Sequence, residues 1–172
     1  MALYVHKRRS YNVTHLMKPV VQVVRSSVLL IAMVASLWGA DAFEGTWKLN
    51  LSKSTYPPGR PRPQEETTEI KDQGSVLAVV VQGIEADGKP FVRRYSYPRK
   101  GGPINGTNLP GTSEIRNRID DLSMDQIISR DGKVVATARF VVSRDRKTLT
   151  TRATVKDSQG NPAQLAQVFE RQ

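Results

Sequence analysis

Cationic and aromatic side chains alternate along one stretch of the sequence in a way that suits ligand binding. In FVRRYSY, residues 91–97, an extended chain places Phe91, Arg93, Tyr95 and Tyr97 on one face. Aromatic rings beside a guanidinium can line a cavity that holds an amphipathic or anionic ligand. An outer face of paired tyrosines and arginines would show the same spacing. We therefore predict a candidate ligand-binding face here, and the alternative of an outer face stays open.

The residue types of the common catalytic and metal sites are scarce. The chain has no cysteine, and its two histidines are His6 and His15. Beyond these two residues near the start of the sequence, the chain has no side chain that could form a thiolate or imidazole metal site or a Ser-His nucleophile pair. Glu65 and Glu66 are neighbours, so on a strand they point to opposite faces and do not form the carboxylate pair of a glycosidase. We expect no enzyme activity, no metal and no cofactor.

The first 42 residues have the pattern of a signal peptide. Basic residues precede an apolar run, SVLLIAMVASLWGA at 27–40, which is shorter than the roughly 20 residues of a membrane span. The segment A-D-A at 40–42 ends it with a cleavage signature, which predicts a cut before Phe43. Met17 would open a leader of conventional length, so we also predict that translation starts there.

The predicted mature chain, residues 43–172, has the length of one domain. Removing the leader takes away five of the 26 basic residues and one of the 16 acidic ones, so the net charge of +10 falls. We expect a secreted or periplasmic bacterial protein with no transmembrane segment in the mature chain. Export also argues against nucleic acid as its partner.

Short alternating runs separated by turn residues predict an all-β domain. Asp-Gly pairs at 87–88 and 131–132 lie between such runs and favour tight hairpins. An antiparallel meander of this size hides its edges by closing into a small lipocalin-like barrel of about 8–9 strands, with a β-sandwich as the alternative. The predicted strands lie at 44–51, 65–72, 75–83, 91–97, 113–119, 122–129, 133–142, 147–156 and 163–171.

One strand allows two orientations. In VVATARFVV the set that contains Phe140 is the more apolar face, and Arg139 lies on the other. Because burying a charge is costly, we predict that Arg139 points outward.

Two long connections interrupt the meander, at 52–63 and 98–112. The first, SKSTYPPGRPRP, has four prolines and is predicted to be extended. Tyr56 is its one large apolar side chain, so we predict that the loop is a partial lid with Tyr56 as its latch. A surface connection that covers nothing is the alternative.

The strand FEGTWKLNL places Trp47 first on its apolar face, where it can plug the base of a barrel, and Gly45 permits a close approach or a bend. This Gly-x-Trp opening resembles that of the lipocalin and fatty-acid-binding-protein superfamily. The ordered set GTWKLN-x-x-KS, a proline-rich loop, a DGK hairpin and a final VFERQ is similar to a family of small exported bacterial lipocalin-like proteins. That resemblance implies export and a calycin-type barrel, without a known ligand.

The resemblance also carries expectations for single residues. Superfamily members place a basic residue of the last strand across the first-strand tryptophan, which implies such a role for Arg171 beside Trp47, with a solvated chain end as the alternative. Fatty-acid-binding proteins have a helical lid and an Arg-x-Tyr carboxylate clamp on the last strand. Here prolines forbid the lid, and Gln167-Val168-Phe169 replaces the clamp.

Two functions of different classes follow. The first is an exported, soluble, non-catalytic barrel that binds a small apolar or amphipathic ligand. The second is a structural or interaction protein of the envelope whose barrel is filled by its own side chains. Basic residues near the two long loops could attract an anionic envelope surface: Arg60, Arg62, Arg93, Arg94, Arg99 and Lys100. A cavity of roughly 300 Å³ or more separates the two functions.

Overall fold

A computed structural model describes residues 40–106, 111–156 and 159–172. Residues 1–39 of the predicted leader 1–42, which include the possible start at Met17, lie outside the described residues. Ten strands account for most of the described chain. They are β1 Gly45–Leu49, β2 Glu65–Asp72, β3 Val76–Ile84, β4 Pro90–Pro98, β5 Gly101–Pro103, β6 Thr112–Arg118, β7 Ser123–Arg130, β8 Lys133–Val142, β9 Thr148–Lys156 and β10 Pro162–Arg171.

The strands form one antiparallel sheet that rolls into a nearly closed barrel. Strands β1 to β4 pair consecutively, strands β5 to β10 do the same, and β10 returns to pair with β1, so the order is β4-β3-β2-β1-β10-β9-β8-β7-β6-β5. The two ends of this sheet meet where Ser96 and Asn105 exchange backbone hydrogen bonds of 2.8 and 2.7 Å. The prediction of a small lipocalin-like barrel is confirmed, and the sandwich alternative is wrong.

Turn residues set the hairpins because the tight turns need backbone conformations that few residues adopt. Asp131 and Gly132 have φ values of 50° and 75° between β7 and β8, the paired positive values that a two-residue hairpin needs. Arg146 has a φ of 57° in the turn before β9. These turns fix the register, and the register fixes which side chains enter the barrel.

Inward side chains pack most densely at one end of the barrel, which we call the closed end. Its largest fully buried side chains are Trp47, Tyr97, Phe43, Leu77 and Met124. A second, smaller cluster of Ala153, Val155 and Leu165 lies near the other end, where β9 ends and β10 begins. Neither cluster fills the part of the interior that lies between them.

The orientation of β8 follows the hydrophobic pattern. Arg139 is exposed and forms a two-pronged ion pair with Asp125 on the adjacent β7, at 2.7 and 2.8 Å. Phe140 packs against the main core cluster. The prediction that Arg139 points outward is therefore confirmed.

The proline-rich connection follows β10 before it leaves the barrel wall. Residues 51–53 form one turn of 3-10 helix, and Thr55 then pairs with Ala166 through hydrogen bonds of 2.7 and 2.9 Å. No helix pair occurs in this connection, all of which is described. Elsewhere in the described part of the chain, no helix is long and apolar enough to cross a membrane.

Candidate ligand-binding site

The barrel interior holds a cavity of about 670 Å³ between the closed end and the second cluster. This volume lies in the range of about 300–1,000 Å³ that holds small-molecule ligands. Eight strands contribute to its wall, and apolar side chains alternate there with polar ones. The residues of the wall include Thr68, Tyr95, Arg116, Gln126, Phe140 and Gln167.

Arg116 is the cation of the cavity wall. It lies on β6, is 4% exposed, and has its guanidinium carbon 4.3 Å from the ring centre of Phe140, 4.4 Å from that of Tyr97 and 5.6 Å from that of Tyr95. The faces of aromatic rings attract cations, most strongly where water is excluded. Three rings therefore hold the guanidinium in one orientation.

The charge of Arg116 has no carboxylate to balance it among the described residues. Its Nη2 donates long hydrogen bonds to the Tyr95 hydroxyl at 3.4 Å and to Gln126 Oε1 at 3.5 Å. The nearest acid in this network, Glu114, instead accepts a 2.7 Å bond from Gln126 Nε2. The Nε atom of Arg116 is buried without a hydrogen-bond partner in the protein, and so is the Tyr97 hydroxyl.

Glu66 brings one acidic group to the same cavity. It faces inward from β2, whereas its neighbour Glu65 is exposed, so the two carboxylates lie on opposite faces as the sequence indicates. Burial raises the pKa of Glu66, and the positive charge of Arg93 opposes part of that increase. Among the described residues, no group of His, Cys, Asp or Glu has the arrangement of a metal site.

The four candidate residues of β4 share the inner face. Arg93 and Tyr95 line the cavity, and Tyr97 is fully buried below it against Arg116. Phe91 is partly buried, packs against the main core and carries Arg93 4.4 Å above its ring. The Arg93 side chain is 59% exposed and pairs with Glu85 at 3.3 Å, so it lies at the mouth rather than in the interior, and binding by this set stays a prediction.

Tyr56 lies at the end of the barrel away from Trp47. Its ring packs against the second cluster, and its hydroxyl accepts a 3.0 Å bond from Gln167, which lines the cavity. Burial raises the pKa of the Tyr56 phenol. Arg60 of the same loop reaches the cavity wall. The loop therefore contacts the mouth of the cavity through two side chains.

Arg171 and Trp47 meet at the closed end. The guanidinium carbon lies 4.2 Å from the ring centre, while its nitrogens donate to the backbone carbonyls of Ala42, Glu44 and Arg146. Trp47 is fully buried and donates a 2.8 Å bond to the Phe43 carbonyl. Gly45, at φ 132°, leaves room for the guanidinium, which a β-carbon would displace.

The six basic residues near the long loops do not form one patch. Arg60, Arg62, Arg93 and Arg94 lie toward the open end, whereas Arg99 and Lys100 follow the far end of β4. Arg99 is also neutralised there by Asp41 at 3.3 Å and Asp72 at 3.0 Å. Attraction to an anionic envelope surface stays a prediction. The separation of the basic residues into two groups makes it less favourable.

Sequence reasoning missed Arg116 because β6 departs from the usual pattern. If the apolar residue of SEIRNR faced the core, Ile115 would point inward. Ile115 is instead 40% exposed, and Arg116 takes the interior position. Such local conflicts between pattern and burial are expected at functional sites. The inward set of β6 could have been found only from its register with Gln126 on β7.

Comparison with solved structures agrees with this architecture. The chain is similar to the fluorescent protein UnaG, with a TM-score of 0.50 and 14% identity over 76% of this chain and 97% of that one. A point mutant of UnaG gives a TM-score of 0.51 at 14% identity, covering 76% and 96%. A de novo designed fluorescence-activating β-barrel is 20% identical over 78% of this chain and all of its own length, with a TM-score of 0.34.

The likeness to the two UnaG structures supports the lipocalin-like barrel fold and nothing beyond the fold. No protein-family model and no curated protein sequence matches the chain. The cavity and Arg116 are the features of this chain that bear on function.

Proposed function

We propose that this barrel binds a small amphipathic molecule whose anionic group lies against Arg116 and whose apolar part fills the cavity. The observation that carries the proposal is Arg116, a residue only 4% exposed that borders a 670 Å³ space and forms no ion pair among the described residues. An anion in that space would supply the missing countercharge and accept the hydrogen bonds that the protein leaves open.

Energetics support the proposal. A buried charge costs several kcal/mol unless it is paired and hydrogen-bonded. Contact with aromatic rings offsets roughly 2 kcal/mol or more of that cost where the cation is desolvated. The rings do not, however, accept the hydrogen bonds of the guanidinium donors. An arginine held in this state is preorganised for a carboxylate, sulfonate or phosphate, groups that accept its planar array of donors.

The shape of the cavity argues against the filled-barrel alternative. Residues such as Ala136, Ala138 and Ala153 occupy inward positions where larger side chains would fill the space. Thr68 and Thr151 add hydroxyls to the wall. The measured volume exceeds the roughly 300 Å³ that separates a ligand site from packing imperfections.

We also propose that the chain is exported and acts outside the cytoplasm as a non-catalytic binding module. The apolar run at 27–40 and the A-D-A segment support export. The compact unit that follows begins at Ala40. The inner wall offers one buried cation, Arg116, with further arginines at the mouth and scattered polar groups, which suits holding a ligand better than transforming it.

A fluorescent anionic probe tests the proposal. Anilinonaphthalene sulfonate has an apolar ring system and a sulfonate that stays ionised, and its fluorescence rises on binding. We expect Arg116→Met to weaken its binding about 10-fold or more, since losing a charged hydrogen-bonding partner costs about 1.5–3 kcal/mol.

The matched control is Arg139→Met, which removes an exposed arginine of the neighbouring β8 that lies on the outer face. Urea unfolding of both variants shows whether they fold. Replacing a buried, unpaired charge by a similar apolar side chain is often neutral or stabilising, so we expect Arg116→Met to fold. Equal affinity in a folded Arg116→Met protein would contradict the proposal.

A further inference from the structure

The residues directly before β1 belong to the closed end of the barrel. Asp41, Ala42 and Phe43 are 5%, 3% and 1% exposed, although the predicted cleavage signature places the first two in the leader. Ala42 gives its carbonyl to Arg171 Nη2 at 2.8 Å, and Phe43 gives its carbonyl to Trp47. Ala40, one residue earlier, is exposed.

Asp41 is the acidic centre of this region. Its side chain, 1% exposed, lies 3.1 Å from Arg118 Nη2 and 3.3 Å from Arg99 Nε. Its Oδ1 also accepts a 3.0 Å bond from the Phe43 backbone amide and a 3.3 Å bond from Arg118 Nη1. Among the described residues, Asp41 is the one carboxylate in ion-pair contact with Arg118, whose side chain is 16% exposed.

A cut before Phe43 would invert the charge at this point. It would remove the Asp41 carboxylate and turn the Phe43 amide, 3.0 Å from that carboxylate, into a new ammonium group. The closed end would then hold that ammonium beside the guanidinium of Arg118, which is 16% exposed and would have lost its carboxylate, and near that of Arg99, which would keep Asp72 at 3.0 Å. Like charges at short range in a shielded site are strongly destabilising.

We infer that Asp41 is retained in the mature protein and that the leader is cut on its N-terminal side, rather than after Ala42. A cut before Asp41 puts the new ammonium on Asp41 itself, beside a carboxylate that balances it, and preserves every contact described above. The inference rests on the proposed export of this chain, and it makes Asp41 the group that locks the barrel's closed end.

Expression of the full precursor in a Gram-negative bacterium tests the inference. The intact mass and the N-terminal sequence of the periplasmic product give its first residue. A product that begins at Asp41 or earlier within the apolar run supports the inference. A product that begins at Phe43 overturns it and leaves export standing. An uncut chain that stays in the cytoplasm overturns the export proposal, and the cleavage statement with it.

A second measurement tests the role of Asp41 independently of processing. Asp41→Asn in the exported protein should lower the thermal midpoint by about 10 °C or more, because breaking a buried ion pair leaves its partners unbalanced. Asp125→Asn is the matched control, since it removes a carboxylate that pairs with Arg139 on the surface. We expect it to shift the midpoint by about 3 °C or less. Equal shifts in the two variants would overturn the assigned role.

Discussion

At the scale of single residues, the barrel separates two arginines that have different tasks. Arg171 donates hydrogen bonds to three backbone carbonyls and lies over the ring of Trp47, so its interactions are all made within the fold. Arg116 is held by three rings but has donors left over. The first arrangement stabilises the closed end, and the second is what a binding site for an anion requires.

Trp47 should dominate the stability of the closed end. Trp47→Ala empties a fully buried site and is expected to lower the free energy of unfolding by about 3–5 kcal/mol. Trp47→Phe keeps an aromatic ring and loses the bond to the Phe43 carbonyl, so its cost should be clearly smaller. Urea unfolding followed by circular dichroism measures both, and a loss under about 1 kcal/mol for Trp47→Ala would contradict this role.

Glu66 should make stability and anion binding depend on pH. Burial raises its pKa in the folded protein above the ordinary value, so the folded state binds the proton more tightly than the unfolded state does. Its contribution to the free energy of unfolding is therefore most favourable below the unfolded pKa. That contribution falls as the pH rises through the folded pKa.

The same carboxylate repels an anion in the cavity once it ionises. Sulfonate affinity should therefore increase as the pH is lowered through the pKa of Glu66, and Glu66→Gln should remove this dependence. Urea unfolding and probe titration from about pH 4 to about pH 8 cover the transition. Glu65→Gln, which alters the neighbouring carboxylate on the outer face, should leave the pH dependence in place. A dependence that survives in Glu66→Gln would rule out this assignment.

At the scale of elements, most strands could be predicted from the sequence, because alternation and turn chemistry act locally. The predicted 65–72 and 133–142 coincide with β2 and β8, and the others differ by one or two residues at an end. The short β5, Gly101–Pro103, lay inside a predicted loop, since glycine and proline disfavour strands. Its pairing with β6 is a tertiary contact that no local pattern encodes.

The interior was harder to predict than the strands. Which face of β4 or β6 enters the barrel depends on register across the whole sheet, and a shift of one residue inverts it. Phe91, Arg93, Tyr95 and Tyr97 could be named as one face, but not as the inner one. Arg116 was invisible because its position contradicts the hydrophobic pattern.

The proline-rich loop should owe its position to Tyr56. Tyr56→Ala removes the ring from the second cluster and the bond to Gln167, so the segment between Ser52 and Arg62 should be cut faster by a broad-specificity protease. Tyr56→Phe keeps the ring and is the matched control, with a rate close to that of the wild type. If the cutting rate is unchanged in Tyr56→Ala, the tyrosine is not a latch.

At the scale of the whole molecule, one antiparallel sheet produces two ends with opposite properties. The closed end concentrates Trp47, Phe43 and Tyr97 and is held by the ion pairs of Asp41 and by Arg171. The other half keeps small residues on its inner face and leaves a cavity. A barrel that is rigid at one end and hollow above it can hold a preorganised cation without collapsing onto it.

The central claim is that the cavity selects for negative charge through Arg116. Isothermal titration calorimetry with octyl sulfonate and octanol, which share an apolar chain and differ in charge, measures that selectivity directly at neutral pH. The wild-type protein should bind the sulfonate about 10-fold or more tightly than the alcohol, and Arg116→Met should remove that preference while retaining binding of the alcohol. Equal binding of the two ligands by the wild type, or a preference that survives in Arg116→Met, would contradict the account.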